Sequence, residues 1–250
     1  MLERATASSG VVYYRSTLFQ RMGIPHAFTT RIGGVSTGPF ASLNLGTTAQ
    51  ATEQDSLEHI RVNFQRAATA INLPEAPIAW VHQIHGKAVA QLPRREVEKN
   101  PAFVQDQFSG QIHADALVSD APGILLSIRV ADCVPILLAA RDGGIVAGVH
   151  AGWRGVAGNI VRETTSVFAS LGVPPGKMIA AIGPAISASH FEIGMEVAEA
   201  FAQADLVQAV HTNFGARPHV DLVAAVKLQL QRGGLKEDQI DTSSLCTYSP

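Results

Sequence analysis

The stretch Ile136-Leu-Leu-Ala-Ala-Arg-Asp-Gly-Gly-Ile-Val-Ala-Gly-Val-His150 decides how the chain is read. Two short runs of Leu, Ala, Ile and Val, 136–140 and 145–150, flank Arg141-Asp-Gly-Gly144, whose residues suit a hairpin turn. Another apolar run, 124–130, precedes them. A third core strand is therefore expected there. On either side of the hairpin the apolar runs break at residues with chemistry. Ala131-Asp-Cys-Val-Pro135 precedes the first strand, and His150-Ala-Gly-Trp-Arg-Gly155 follows the second.

Working outward, Val156, Ile160, Val161, Val167, Phe168 and Leu171 mark one face of a helix that stops at Gly172, with Pro174 beyond it. Helices are also expected over 195–204 and over 222–232, the latter capped by Asp221 and closed by Gly233. Towards the N-terminus, Leu57, Ile60, Phe64, Ala67, Ala68 and Ile71 keep helical spacing over 53–72, with Thr52 and Asp55 as an N-terminal capping pair. Strands are read at 11–14, 27–30, 78–84 and 87–92. Residues 31–46 read as a long polar loop, 93–110 as an exposed excursion with little chemistry, and 1–10 as a floppy leader. Hairpins mixed with helices, without regular strand-helix-strand alternation, predict one α+β domain over 11–250, a mixed or antiparallel sheet covered by helices.

Composition narrows the function. A chain of 250 residues, 46% hydrophobic and 16% charged, can bury one substantial core. Its 19 basic and 21 acidic residues leave a formal charge of −2 and no basic footprint for nucleic acid. Arg129, Asp132 and Pro135 interrupt the most apolar stretch, 123–140, so no membrane span is expected. Cys133 and Cys246 are too sparse for a disulfide framework and suggest the cytoplasm. No Gly-x-Gly-x-x-Gly turn or P-loop supports a nucleotide cofactor.

His85, Cys133 and His150 each sit where an apolar run gives way to Gly or Pro. Together they offer the two imidazoles and one thiolate that a catalytic zinc can use, with a fourth position open. His82, three residues before His85 in an extended segment, faces the opposite side and is expected to pack or hydrogen-bond. His150 could act as a co-ligand with Cys133 or as the base of a Cys/His dyad, and spacing does not choose between them. The plainer reading of each is a satisfied core histidine and a buried cysteine. Residues 151–155 form a glycine-rich strand-to-helix turn where backbone N–H groups and Arg154 suit an anion. In the alternative reading the glycines serve packing and Arg154 is solvated. Arg31 and Asn44, in the long loop, are the other candidate substrate contacts.

Nine ordered motifs then carry a resemblance. They are Thr29-Thr-Arg-Ile-Gly-Gly-Val-Ser36, Ser42-Leu-Asn-Leu-Gly46, Gln83-Ile-His-Gly86, Ala114-Asp-Ala-Leu117, Ala131-Asp-Cys-Val-Pro135, His150-Ala-Gly-Trp-Arg-Gly155, Ile182-Gly-Pro-Ala185, Phe191-Glu-Ile-Gly194 and Cys246-Thr-Tyr248. In this order they resemble the YfiH family, which has been called laccase-domain, multicopper polyphenol oxidase and peptidoglycan editing factor, and is described as purine nucleoside phosphorylase. The resemblance implies a layered α+β sandwich similar to cysteine-hydrolase-like toxin domains, and zinc on His85, Cys133 and His150. It also implies phosphorolysis of adenosine, inosine, guanosine and methylthioadenosine, and deamination of adenosine. Purine nucleoside and phosphate are then the expected partners, and Asp132 and Asp115 are the candidates to shuttle protons.

Two departures from the family pattern stand out. Val130 replaces a frequent threonine, and the family's C-terminal strand with its arginines is expected to be missing beyond Pro250, as in a truncated product. Two rival activities follow from the family's older names. A metal-free Cys133/His150 hydrolase would act on peptidoglycan precursors. A copper polyphenol oxidase would need His-x-His pairs, and none of the nine histidines forms one, although a His/Cys/His site could take up Cu2+.

Overall fold

The 136–150 stretch forms the expected hairpin in the computed structural model, which describes residues 1–46, 53–100 and 102–249. Among the described residues, fourteen strands and eight α-helices follow in chain order. The N-terminal part holds β1 (Leu2–Thr6), β2 (Val12–Ser16), α1 (Thr17–Arg21), β3 (Phe28–Thr29), α2 (Leu57–Ala70), β4 (Ile78–His82) and β5 (Val89–Leu92). Next come α3 (Arg94–Lys99), α4 (Phe103–Gln107), β6 (Ser109–His113), β7 (Ala116–Ser119), β8 (Leu125–Ser127), β9 (Val134–Ala140), β10 (Val146–Ala151), α5 (Trp153–Ala157) and α6 (Ile160–Ser170). The chain closes with β11 (Met178–Ile182), α7 (Met195–Gln203), β12 (Val210–His211), β13 (His219–Val220), α8 (Leu222–Arg232) and β14 (Ile240–Thr242).

A six-stranded sheet, in the order β14-β11-β9-β10-β7-β5, is the centre of this α+β domain. It is mixed: β9 pairs antiparallel with β10 and β11, and β7 antiparallel with β10, while the outer pairs β11/β14 and β5/β7 are parallel. Side chains alternate across it with the two-residue period of a strand. Val134, Ile136, Leu138 and Ala140 of β9 enter the main core with Val161, Phe168, Phe201 and Leu230 from the helices. Ala139 joins Phe19, Ile24, Phe28 and Ile179 on the other face. Burial on both faces is why β9 reads as a continuous apolar run. A smaller sheet, β6-β4-β8, packs through Ala79 and Val81 of β4, together with Val104 and Phe108 from α4 and its C-cap, against Ala90, Leu92 and Leu117 at the β5/β7 end. The layered arrangement agrees with the expected class.

Several elements differ from expectation. The segment read as a floppy leader contributes β1, paired along its whole length with β2, because cross-strand backbone hydrogen bonds are invisible to composition. The helix expected over 53–72 starts at Leu57, capped by the Ser56 hydroxyl, and Thr52 lies outside the described residues. Asp55 serves a loop network instead. The helix expected through 156–171 is two: Asn159, in the left-handed region at φ 60°, ends one turn and caps α6 with its side chain. The 93–110 excursion folds into α3 and α4, which bury Val104 and Phe108. Of the apolar run 124–130, only β8 is strand. No described helix is long and apolar enough to cross a membrane.

Candidate metal centre

The site grows from the buried carboxylate of Asp115, which sits between β6 and β7. Its Oδ2 accepts hydrogen bonds from the backbone amides of Gly86 at 2.7 Å and Ile84 at 3.3 Å, and its Oδ1 accepts from His85 N at 2.9 Å. Three consecutive amides turned onto one side chain force the chain after β4 into a tight curl. His85 accordingly lies in the left-handed region, at φ 58°, uncommon for a residue with a Cβ. The curl carries its imidazole to the rim of the sheet.

His150 ends β10 opposite Pro135 of β9, and its side chain is only 3% exposed. Its Nδ1 lies 2.8 Å from Asp115 Oδ1. A carboxylate can only accept here, so Nδ1 carries the proton and the Nε2 lone pair is left for a metal. Burial pushes the imidazole pKa down against the raising effect of Asp115, which favours the neutral ligand form. Cys133, just before β9, is pushed up by burial and further by Asp132 and Asp115. The ligand atoms of His85, Cys133 and His150 all lie within 4.8 Å of one another. Donors about 2.0–2.3 Å from one tetrahedral zinc lie roughly 3.3–3.8 Å apart, so the three side chains are grouped on the scale of a single ion.

Gly152 supplies a second sign that the three residues share a reserved space. A Cβ there would lie 3.2 Å from Cys133 Sγ, 3.3 Å from His85 Cδ2 and 3.8 Å from His150 Cε1. A side chain on the residue after β10 would press on Cys133 and His85 where the ligands converge. Gly155 has a parallel role in packing, since a Cβ would come within 2.8 Å of the Gly86 carbonyl oxygen and push α5 off the His85 curl.

A pocket of about 210 Å³ opens beside the cluster, lined in part by His85, Cys133, Asp132, Trp153, Arg154 and Phe191. Arg154 projects from α5 with its guanidinium 4.3 Å over the Trp153 ring. Because α5 spans only Trp153–Ala157, the helix dipole expected at this turn is weak, and Arg154 is the main cationic feature. Asp132 is exposed, and its Oδ1 accepts from Thr247 Oγ1 at 2.7 Å.

The other candidates separate from the pocket. Arg31 donates from Nε to the Ala41 carbonyl oxygen at 3.0 Å, and Asn44 donates to Asp55 at 3.0 Å, so both brace their own loop and neither lines the pocket. That loop is organised around buried Asn63. Its amide donates to Ser36 Oγ and the Asn44 carbonyl oxygen and accepts from Val35 N. Helical periodicity hid this role, because the apolar face expected over 57–71 is traced by Leu57, Ile60, Phe64, Ala67, Ala68 and Ile71 and passes over the polar Asn63. Asp115 does not face the pocket as a proton shuttle does, since its oxygens are occupied by backbone amides and His150. His82, the last residue of β4, packs against His113 with ring centroids 4.8 Å apart and takes no part in the cluster; the strand ends there, so the curl at 84–86 and not strand alternation sets where His85 points.

A layered α+β domain that gathers two imidazoles and a thiol beside an arginine and a carboxylate has the donor set of a metal centre. The chain belongs to the YfiH family: the family model described as "Multi-copper polyphenol oxidoreductase laccase" matches residues 25–250. A Deinococcus radiodurans protein named purine nucleoside phosphorylase is 37% identical over 86% of this chain and 77% of its own length. Purine nucleoside phosphorylase YfiH of Escherichia coli K12 is 36% identical over 92% of this chain and 86% of its own. The crystal structure of YlmD from Geobacillus stearothermophilus superposes with a TM-score of 0.77 at 27% identity, covering 94% of this chain and 86% of that one. Among the described residues, His85, Cys133 and His150 are the one metal-capable group of three or more His, Cys, Asp or Glu side chains. A multinuclear copper centre needs several such groups.

Proposed function

We propose that the protein is a zinc-dependent purine nucleoside phosphorylase, acting with phosphate on adenosine, inosine, guanosine and methylthioadenosine, and that it also deaminates adenosine. The observation that carries this reading is the convergence of His85, Cys133 and buried His150 beside a pocket whose wall carries His85, Cys133 and Arg154. The names of the relatives support the substrate class. The two free thiols fit a reducing compartment, and we place the protein in the cytoplasm.

In phosphorolysis a phosphate oxygen forms a bond to the ribose anomeric carbon as the bond to the purine nitrogen breaks, and positive charge develops on the sugar. Arg154 would hold the phosphate dianion, its guanidinium kept in place by the Trp153 ring. Bound zinc would supply Lewis-acid polarisation of an oxygen and keep Cys133 as its thiolate. Asp132 would move the proton, being the carboxylate on the pocket wall, with Thr247 orienting it. Asp115 would hold His150 and the His85 curl in position without touching substrate.

Metal analysis of the purified protein, with chromatography of adenosine incubated with and without phosphate, tests the proposal. About one zinc per chain and phosphate-dependent release of adenine are expected, with inosine formed when phosphate is omitted. Turnover that survives chelation but is lost on thiol alkylation would instead identify a Cys133/His150 hydrolase.

A further inference from the structure

A second thiol lies outside the metal cluster, in surroundings unlike those of Cys133. Cys246 follows β14 and pairs as an isolated bridge with Ala185, on the strand of chain leading away from β11. Its sulfur accepts a hydrogen bond from the Ser187 amide at 3.3 Å and lies 3.7 Å from His190 Nδ1. That imidazole is held by the hydroxyls of Ser187 at 2.9 Å and Ser189 at 3.1 Å, and its ring packs at 4.8 Å on Tyr248. A thiol, an imidazole and a backbone N–H donor thus converge at an accessible surface. No step proposed for the metal centre uses them.

We infer that Cys246, paired with His190, is a modification site that forms mixed disulfides with low-molecular-mass disulfides. The Cys246 sulfur attacks one sulfur of the disulfide, a new S–S bond forms as the old one breaks, and the released thiolate takes up the proton that Cys246 gave up. The protein thiol is oxidised and half of the disulfide is reduced to free thiol, so the exchange balances. His190 stands where it can receive that proton and pass it on.

The electrostatics agree with the geometry. Burial works against ionisation of Cys246, but the hydrogen bonds from Ser187 and from the Tyr248 and Ser249 backbone outweigh it and bring the thiol down to about 6. At neutral pH it is then mostly thiolate. The position also adjoins the pocket. Thr247, the next residue, donates to Asp132, and Ile186, the residue before Ser187, donates its amide to the Asp132 carbonyl oxygen at 2.9 Å. An adduct on Cys246 is therefore formed one residue from the support of the pocket carboxylate.

The test is oxidised glutathione added to the intact protein at pH 7, followed by intact mass and peptide mapping over time. Cys246 is expected to gain one glutathione about tenfold faster than Cys133, because its sulfur lies beside His190 and the Ser187 amide outside the metal cluster, whereas that of Cys133 is enclosed between His85 and His150. Cys246→Ser should abolish the fast phase and His190→Ala should slow it several-fold. Reducing agent should remove the adduct. Equal or faster labelling of Cys133, or a fast phase that survives Cys246→Ser, overturns the assignment. A rate unchanged in His190→Ala overturns the pairing. Peptide mapping of the wild type needs no variant to fold, and the readout is independent of nucleoside turnover.

Discussion

Asp115 Oδ1 bridges two segments at once: it lies 2.8 Å from His150 Nδ1 and accepts the His85 amide at 2.9 Å. One buried carboxylate thereby orients one candidate ligand through its ring and the other through its backbone. Such partners govern metal affinity, because they set ring orientation and tautomer before the ion arrives.

Asp115→Asn follows from this arrangement. The amide keeps the volume but replaces one acceptor oxygen with a donor, which faces either His150 or the 84–86 amides. Metal affinity should fall by about 10–100-fold, measured by competition with a chromophoric chelator. Affinity equal to wild type would show that Asp115 does not organise the ligands.

Gly152→Ala tests the reserved space. The new methyl would sit 3.2–3.3 Å from Cys133 and His85, closer than ordinary packing allows, while the backbone at this residue is extended and unstrained. The variant should fold and lose most of its bound metal by elemental analysis. Gly176→Ala, where a Cβ meets nothing within 4 Å, should keep it.

Arg154→Ala should separate binding from folding. The side chain is exposed and its stacking on Trp153 is worth about 0.5–1 kcal/mol, so the melting temperature should move little. The KM for phosphate should rise by about tenfold or more, the loss expected for one charge-assisted contact. An unchanged phosphate dependence would remove Arg154 from the anion site.

The loop network predicts an acid-labile stability. Burial alone would raise the Asp55 carboxyl, but hydrogen bonds from Ser36, Asn44, His59 and the Ser56 amide prevail and lower it from 3.8 to about 2. A carboxyl depressed in the folded state contributes stability in full above its unfolded value and loses it as pH falls through the folded one. Urea midpoints should therefore show an Asp55-dependent decline between about pH 4 and pH 2. Asp55→Asn should be less stable at neutral pH and lack that component. Parallel pH profiles for the two proteins would contradict the network's role.

Much of the fold was legible because local physics wrote it. The 136–150 hairpin needed only two apolar runs and an Asp-Gly turn. Helix α8 kept its expected bounds because Asp221 caps it and Gly233 closes it. β1 was missed because its sequence is polar and its stability comes from pairing with β2. β11 is not legible in the sequence although all five of its residues are buried, since a short apolar run carries no period of its own.

The division is the same at the site. By itself the sequence determined the chemical inventory: which side chains can bind a metal or an anion. It also determined the α+β class, because hydrophobic period and turn chemistry are properties of neighbouring residues. Only the tertiary structure decided that Asp115 meets both His150 and the 84–86 amides, that Arg31 and Asn44 bond within the early loop and to Asp55, and that Gly152 lies against Cys133 and His85. Each of those roles depends on a distance between residues far apart in the chain, and backbone packing sets such distances where spacing along the sequence cannot.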